Sequence, residues 1–439
     1  MTKGRAYPEY KATGLKWLGE VPASWGVVPL WTLYSRGKST NFPDEELLSV
    51  YRDHGVVPKS SRGDNFNKPS EDLSSYQLVK PGDMVINKMK AWQGSVAISR
   101  HRGIVSPAYF VYAGHHGMDD RYLHYLLRSE RYITGYLSLS KGIRINQWDL
   151  DPTYHSRMPV LVPSLQEQRA IVNLLDRETA QIDELIGKQE RLIEMLAEKR
   201  QAVITQAVTR GLDPIAPTKP AGIPWLGQIP AHWQVSPVGS CAVLIQTGPF
   251  GSQIHAEDYV AGGTPLINPS HLVEGRIAPN LEVAVSDDKA QELRRHALRT
   301  GDVVVARRGE LGRNAVSTEQ DEGFLCGTGS LLVRLQTNAY LPEYFSLVFG
   351  GQHTRDRLSL QSIGATMDNL NAGLIARLRL VRPPITEQES ILQWLSETTD
   401  VLDKTTRKAV RSIDLLRERR SALISAAVTG KIDVREGAA

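Results

Sequence analysis

The sequence predicts an α/β (α+β) protein: two β-rich globular domains separated by two long helices that pair as an antiparallel coiled coil, with a pseudo-two-fold relating the halves. Three observations carry this prediction. A tryptophan-rich opening occurs twice, a Gly-Asp strand start occurs twice, and two helical segments match each other at a constant offset of 220 residues. Self-similarity on this scale marks a duplicated unit.

At 439 residues the chain has room for two or three domains, each with a core of its own. Hydrophobic content of 41% with 23% charged residues is ordinary for a soluble globular protein. No run approaches the roughly 18 apolar residues of a membrane span, and no charged-then-apolar signal segment opens the chain. Cys241 and Cys326 are single and distant, so neither a disulfide framework nor a cysteine-based zinc site is signalled. A cytoplasmic protein with no membrane partner is expected. Residues 1–164 carry 21 Lys and Arg against 15 Asp and Glu, whereas residues 214–382 balance at 15 against 15. A protein that holds DNA alone is usually more basic, so a DNA ligand would imply partner subunits that share the electrostatic work.

The first globular domain, 1–162, contains "GLKWLGEVPASWGVVPL" from Gly14; the second, 214–382, contains "GIPWLGQIPAHWQVSPV" from Gly222. Nine of the seventeen paired positions are identical, including Trp17 with Trp225 and Trp25 with Trp233. Further on, "PGDMVINKM" from Pro81 matches "TGDVVVARR" from Thr300, each a β-branched run behind a Gly-Asp turn that reads as a strand.

The central spacer helix is predicted within 163–213 and the C-terminal one within 383–439. Glu167-Gln168 aligns with Glu387-Gln388, Arg200 with Arg420, and Ala207-Val208-Thr209 with Ala427-Val428-Thr429. Ile171, Leu175, Ile182, Leu192 and Leu196 recur near a 3.5-residue spacing, as do Leu395, Leu402, Leu416 and Leu423, and these are the predicted helix-pairing positions. Pro163 and Pro383 precede the helical patterns, where proline is tolerated. About 44 helical residues would span roughly 66 Å. Such a helix needs a partner, either its own globular domain or the other helix, and the heptad-like stripe favours the second.

A catalytic centre is not legible. "RGKST" at Arg36–Thr40 lacks the glycine a P-loop needs where Thr32 stands. "TGPFGS" at Thr247–Ser252 reads as a tight turn presenting Phe250 and Gln253. His115-His116 is the one close histidine pair, and no metal-ligand spacing occurs. Asp83 with Lys88 lacks the second carboxylate of a metal-dependent nuclease. No cofactor is expected in this chain. Loop residues suited to base edges and phosphates are better represented. They are Lys88, Lys90 and Gln93 in "NKMKAWQGS", Arg144, Asn146 and Gln147 in "KGIRINQWDL", and Arg307, Arg308, Arg313 and Asn314 in "ARRGELGRNAV". Arg and Lys suit guanine, Asn and Gln suit adenine, and all suit phosphates. The plainer alternative is solvated loop residues, with Trp92 and Trp148 as packing groups.

Duplicated units opening "WLG-x-[VI]-P-x-x-W" and closing "P-x-x-x-EQ" before a long helix resemble the specificity subunit of type I restriction-modification enzymes, over essentially the whole chain. "TGPFGSQIHAEDY" from Thr247 is also similar to an opening of the target-recognition domains of that family. The resemblance implies that each globular domain reads one half-site of an asymmetric bipartite DNA target and that the helices set the unread gap. It also implies docking of two methyltransferase subunits and of restriction (motor-nuclease) subunits, which would carry the S-adenosylmethionine, ATP and Mg. The first domain lacks the "GPFGS" string, so its DNA-facing loops have no residue-by-residue match in the second. Shared positions such as Trp17 and Trp225 are expected to serve the scaffold, because heads that read different half-sites should differ where they touch bases. The competing expectation is a coiled-coil scaffold whose globular ends bind proteins.

Overall fold

The computed structural model describes residues 6–52, 54–63, 68–144, 147–223, 226–362 and 370–435. The chain forms two compact units, one of residues 1–191 with 409–439 and the other of residues 192–408. Both divisions fall inside the long helices, which run Leu165–Arg210 and Ile385–Val428. Each unit therefore holds one globular part, the beginning of one helix and the end of the other.

The first unit is built on a four-stranded antiparallel sheet. Tyr34–Gly37, Tyr109–Gly114, Met84–Asn87 and Val96–Ile98 are neighbours in that order. In the second unit Ala242–Thr247, Ser330–Leu335, Val303–Ala306 and Asn314–Val316 repeat the order. The predicted strand starts behave alike. Asp83 accepts a hydrogen bond from the Lys80 amide at 2.8 Å, and Asp302 accepts one from the Arg299 amide at 2.6 Å. These carboxylates close turns. The tryptophan-rich openings form the hairpins Tyr10–Ala12 with Glu20–Pro22 and Thr218–Pro220 with Gln228–Pro230. They bury Leu18, Trp25 and Trp233. Trp225 lies outside the described residues. Between the first and second sheet strands in sequence the two units diverge, at residues 38–83 and 248–302.

The Glu-Gln dipeptide fastens each helix to its unit. Gln168 accepts from the Asp119 amide at 2.8 Å and donates to the Pro163 carbonyl at 2.9 Å. Gln388 accepts from the Leu341 amide at 2.9 Å and donates to the Pro383 carbonyl at 2.9 Å. Asp119 and Leu341 are the N-cap residues of the helices Asp120–Leu127 and Pro342–Phe349, so the glutamine satisfies an equivalent backbone donor twice. The Ala-Val-Thr helix ends are buried too: Ala427 and Val428 in the core of the first unit, Ala207 and Val208 in that of the second. In the second unit Tyr344 donates to the Val208 carbonyl at 2.9 Å.

Within each unit the two long-helix segments run antiparallel. In the first unit Arg420 meets Asp183 at 2.9 Å and Arg417 meets Glu190 at 3.7 Å; in the second, Arg200 meets Asp403 at 3.3 Å. Arg200 and Arg420 are repeat-mates, as are Asp183 and Asp403, so one ion pair occurs twice with the helices exchanged. Of the stripe positions, Ile171, Leu175, Ile182, Leu395 and Leu402 are buried, and Leu192, Leu196, Leu416 and Leu423 half-buried. Ile171 and Leu175 sit in the first unit's core beside Ala427 and Val428, and Leu395 in the second unit's core beside Ile204 and Ala207. Buried Ala409 and Ile413 continue the apolar face, whereas Leu185 is exposed.

Candidate nucleic-acid interface

In each unit, one end of the four-stranded sheet gathers the divergent loops. Residues 88–95 connect two sheet strands there in the first unit, and residues 307–313 connect their counterparts in the second. Each loop is braced by a later segment. The Leu150 amide donates to the Lys88 carbonyl at 3.1 Å, and the Leu370 amide to the Arg307 carbonyl at 3.0 Å. Lys88 and Arg307, chosen from separate strings, therefore occupy equivalent backbone positions.

In the first unit the brace is the hairpin Ser140–Arg144 with Gln147–Leu150. Lys88 forms a 3.0 Å ion pair with Asp149, and Trp92 packs edge-on against Trp148 with ring centroids 4.8 Å apart. The indole of Trp92 also donates to the Met89 carbonyl, so this pair holds loop and hairpin together. Lys90 and Gln93 are exposed, and neither side chain has a partner among the described residues. Arg144 and Gln147 lie on the hairpin strands, but their side chains, like all of Asn146, fall outside the described residues.

In the second unit Phe250 is 58% exposed, while Gln253 turns its side-chain oxygen back to the Phe250 amide at 3.3 Å. The preceding Gly248 amide donates to the Ser330 carbonyl, which anchors the turn to the sheet end. Arg307 donates through Nε to the Leu370 carbonyl at 2.9 Å, and burial with the adjacent Arg308 charge lowers its pKa. Arg308 is exposed and without a partner among the described residues. Arg313 grips Glu310 through Nε at 3.2 Å and Nη2 at 2.7 Å; Arg355 reaches the other oxygen of Glu310 at 3.3 Å. These hydrogen bonds hold the Glu310 carboxyl below its usual range. Asn314 is buried and donates to the Gly312 and Ser346 carbonyls.

Sequence reading missed Asp149, Glu310 and Arg355. The three-residue spacing of Glu310 and Arg313, with Gly312 between them, was the available signal for that pair; Arg355 left none. Away from the sheet ends, His116 packs its ring on Tyr34, at 4.7 Å between centroids. No group of three or more metal-type side chains occurs among the described residues. No helix among them is long and apolar enough to cross a membrane.

No family model matches the chain. It is 22% identical over 429 residues to the type I restriction enzyme EcoKI specificity subunit of Escherichia coli (strain K12), covering 91% of this chain and 88% of that one. The type I restriction enzyme StySPI specificity subunit of Salmonella potsdam is 23% identical over 430 residues, with the same coverage. Among solved structures, a chain described in work on complex assembly and conformational transition of the type I R-M system superposes with TM-score 0.67 at 15% identity, covering 94% of this chain and 99% of that one. The HsdS subunit from Thermoanaerobacter tengcongensis superposes with TM-score 0.50 at 16% identity, over 94% and 98%. Both share the fold.

Proposed function

We propose that this chain, a member of the specificity-subunit family of type I restriction-modification systems, reads an asymmetric two-part DNA sequence with residues 1–162 and 214–382 as its target-recognition domains. The observation that carries this reading is the duplicated sheet end: two equivalent scaffolds present loops of different sequence at the same place. A reader of two unlike half-sites needs that combination of constant frame and variable contact. Lys90, Gln93, Arg308 and Phe250 are the exposed nominees at those ends, and Arg313 stands beside them.

The chain is the DNA-specificity part of a complex and is not itself catalytic. Two methyltransferase subunits dock on it and supply S-adenosylmethionine chemistry at adenine, and restriction subunits add ATP- and Mg-dependent functions. The antiparallel helices set the unread gap. Inserting whole heptads into both helices lengthens the gap while both half-sites persist.

The test is a base-resolved methylome after co-expression with a type I adenine methyltransferase subunit that assembles with this chain, in a methylation-free host. The expected result is methylated adenine confined to one two-part motif of constant gap. Absence of methylation from an assembled, cofactor-binding complex defeats the reading and favours a protein-binding scaffold.

A further inference from the structure

The loop 307–313 holds a carboxylate between two guanidinium groups, and hydrogen-bond inventory says what that leaves free. A guanidinium has five N–H donors in a fixed fork. Arg313 uses Nε–H and one Nη2–H on Glu310, and one Nη1–H on the Pro269 carbonyl at 3.4 Å. One N–H on each terminal nitrogen remains unused by the protein. The side chain stays 40% exposed, so this pair can meet a ligand. Arg355 braces the opposite oxygen of Glu310 and is itself tied through Nε to the Gly350 carbonyl at 2.8 Å. Glu310 is thus clamped from both sides, and it clamps Arg313 in turn.

We propose that Glu310 is a positioning residue that locks Arg313 as a bidentate reader of one guanine in the half-site assigned to residues 214–382. Guanine offers O6 and N7 as paired acceptors in the major groove, the partner a fixed fork discriminates best. Fixing the fork before binding removes the rotamer entropy that a long exposed arginine otherwise loses on contact. Arg308, in the same loop but unbraced, has no such fixed geometry and serves as a phosphate contact, which positions the protein without reading sequence. In the first unit the equivalent loop, residues 88–95, carries no such buttress among the described residues: Lys88 is a point charge paired with Asp149, and Lys90 is free. The two ends therefore read by different chemistry.

This assignment rests on the two-domain reading above, and the experiment separates the two. The wild-type complex with its methyltransferase is compared with Glu310→Gln, Arg313→Lys and Arg308→Gln on a randomised duplex library, with methylated products sequenced at a limiting time. Glu310→Gln and Arg313→Lys are each expected to cut preference at one G·C position roughly tenfold, within the discrimination a bidentate contact supplies. The other half-site and the gap stay unchanged, and Arg308→Gln slows methylation evenly without altering the motif. An unchanged motif for Glu310→Gln, or the same single-position loss in Arg308→Gln, overturns the role of Glu310. A wild-type complex that yields no two-part motif overturns the domain reading, and this assignment falls with it.

Discussion

In the first unit Glu167 accepts hydrogen bonds from the Tyr7 hydroxyl at 2.5 Å and the Trp25 indole at 3.0 Å, all three groups being buried. In the second unit its repeat-mate Glu387 meets His232 at 2.7 Å, on the surface, and the buried Trp233 indole has no acceptor among the described residues. The position equivalent to Tyr7 is Ile215, 88% exposed. One dipeptide thus makes two unlike anchors. The backbone role of the glutamine persists because the donor it satisfies belongs to the fold. The role of the glutamate drifted because it depends on which side chains the neighbouring hairpin offers.

That contrast can be broken directly. Glu167→Ala strands two buried donors, each costing about 1–3 kcal/mol, so a loss of roughly 3 kcal/mol or more is expected in urea unfolding. Glu387→Ala removes a partly exposed pair and strands no buried donor, so it should cost about 1 kcal/mol or less. Equal losses would mean that the anchors are energetically alike despite their geometry. At the helix ends, Gly430→Ala sets a Cβ 2.3 Å from the Pro22 ring in the left-handed region at φ 70°, and a thermal-unfolding loss of about 2 kcal/mol is expected. In the second unit a Cβ on Gly211 would meet its nearest neighbour at 3.2 Å, the movable tip of Glu387, so its replacement is the milder.

Acid sharpens the comparison. Burial, with Arg128 and Arg100 adding to it, pushes His124 down to about 3, and burial pushes His155 down to about 3. In the second unit His296 is lowered to about 4 by burial and by Arg295. Each is neutral when folded, whereas the unfolded chain takes up protons below the free value of 6.5. Stability is therefore complete above pH 6.5 and falls as pH drops towards 3 to 4. Burial also lowers His116 in the first unit, so hydrogen exchange resolved by unit should show that unit, with three such histidines, losing protection at the higher pH; simultaneous loss would contradict it. The smallest effects belong to the repeated ion pair. Arg420→Ala and Arg200→Ala should each cost under about 1 kcal/mol and by similar amounts, since both pairs are exposed.

The frame was legible in the sequence because its requirements are local and chemically narrow. A Gly-Asp turn, a buried tryptophan and a glutamine bonded to a helix cap tolerate few substitutes, so both copies retain them. The loops were legible only as residue types. Arg307 and Asn314 look like base readers in sequence, yet the first donates to the Leu370 carbonyl and the second is buried against Ser346. Their partners lie 63 and 32 residues away. Lys88 is likewise paired with a residue 61 positions on. No pattern within a loop announces such partners, and this is why the second clamp on Glu310, from Arg355 45 residues on, emerged from geometry alone.

The most direct test of the central claim exchanges residues 214–382 for the corresponding domain of another specificity subunit and maps the methylated motif. One half of the motif should change while the other half and the gap remain. A change in both halves, or in neither, would contradict two independent reading heads on a shared spacer.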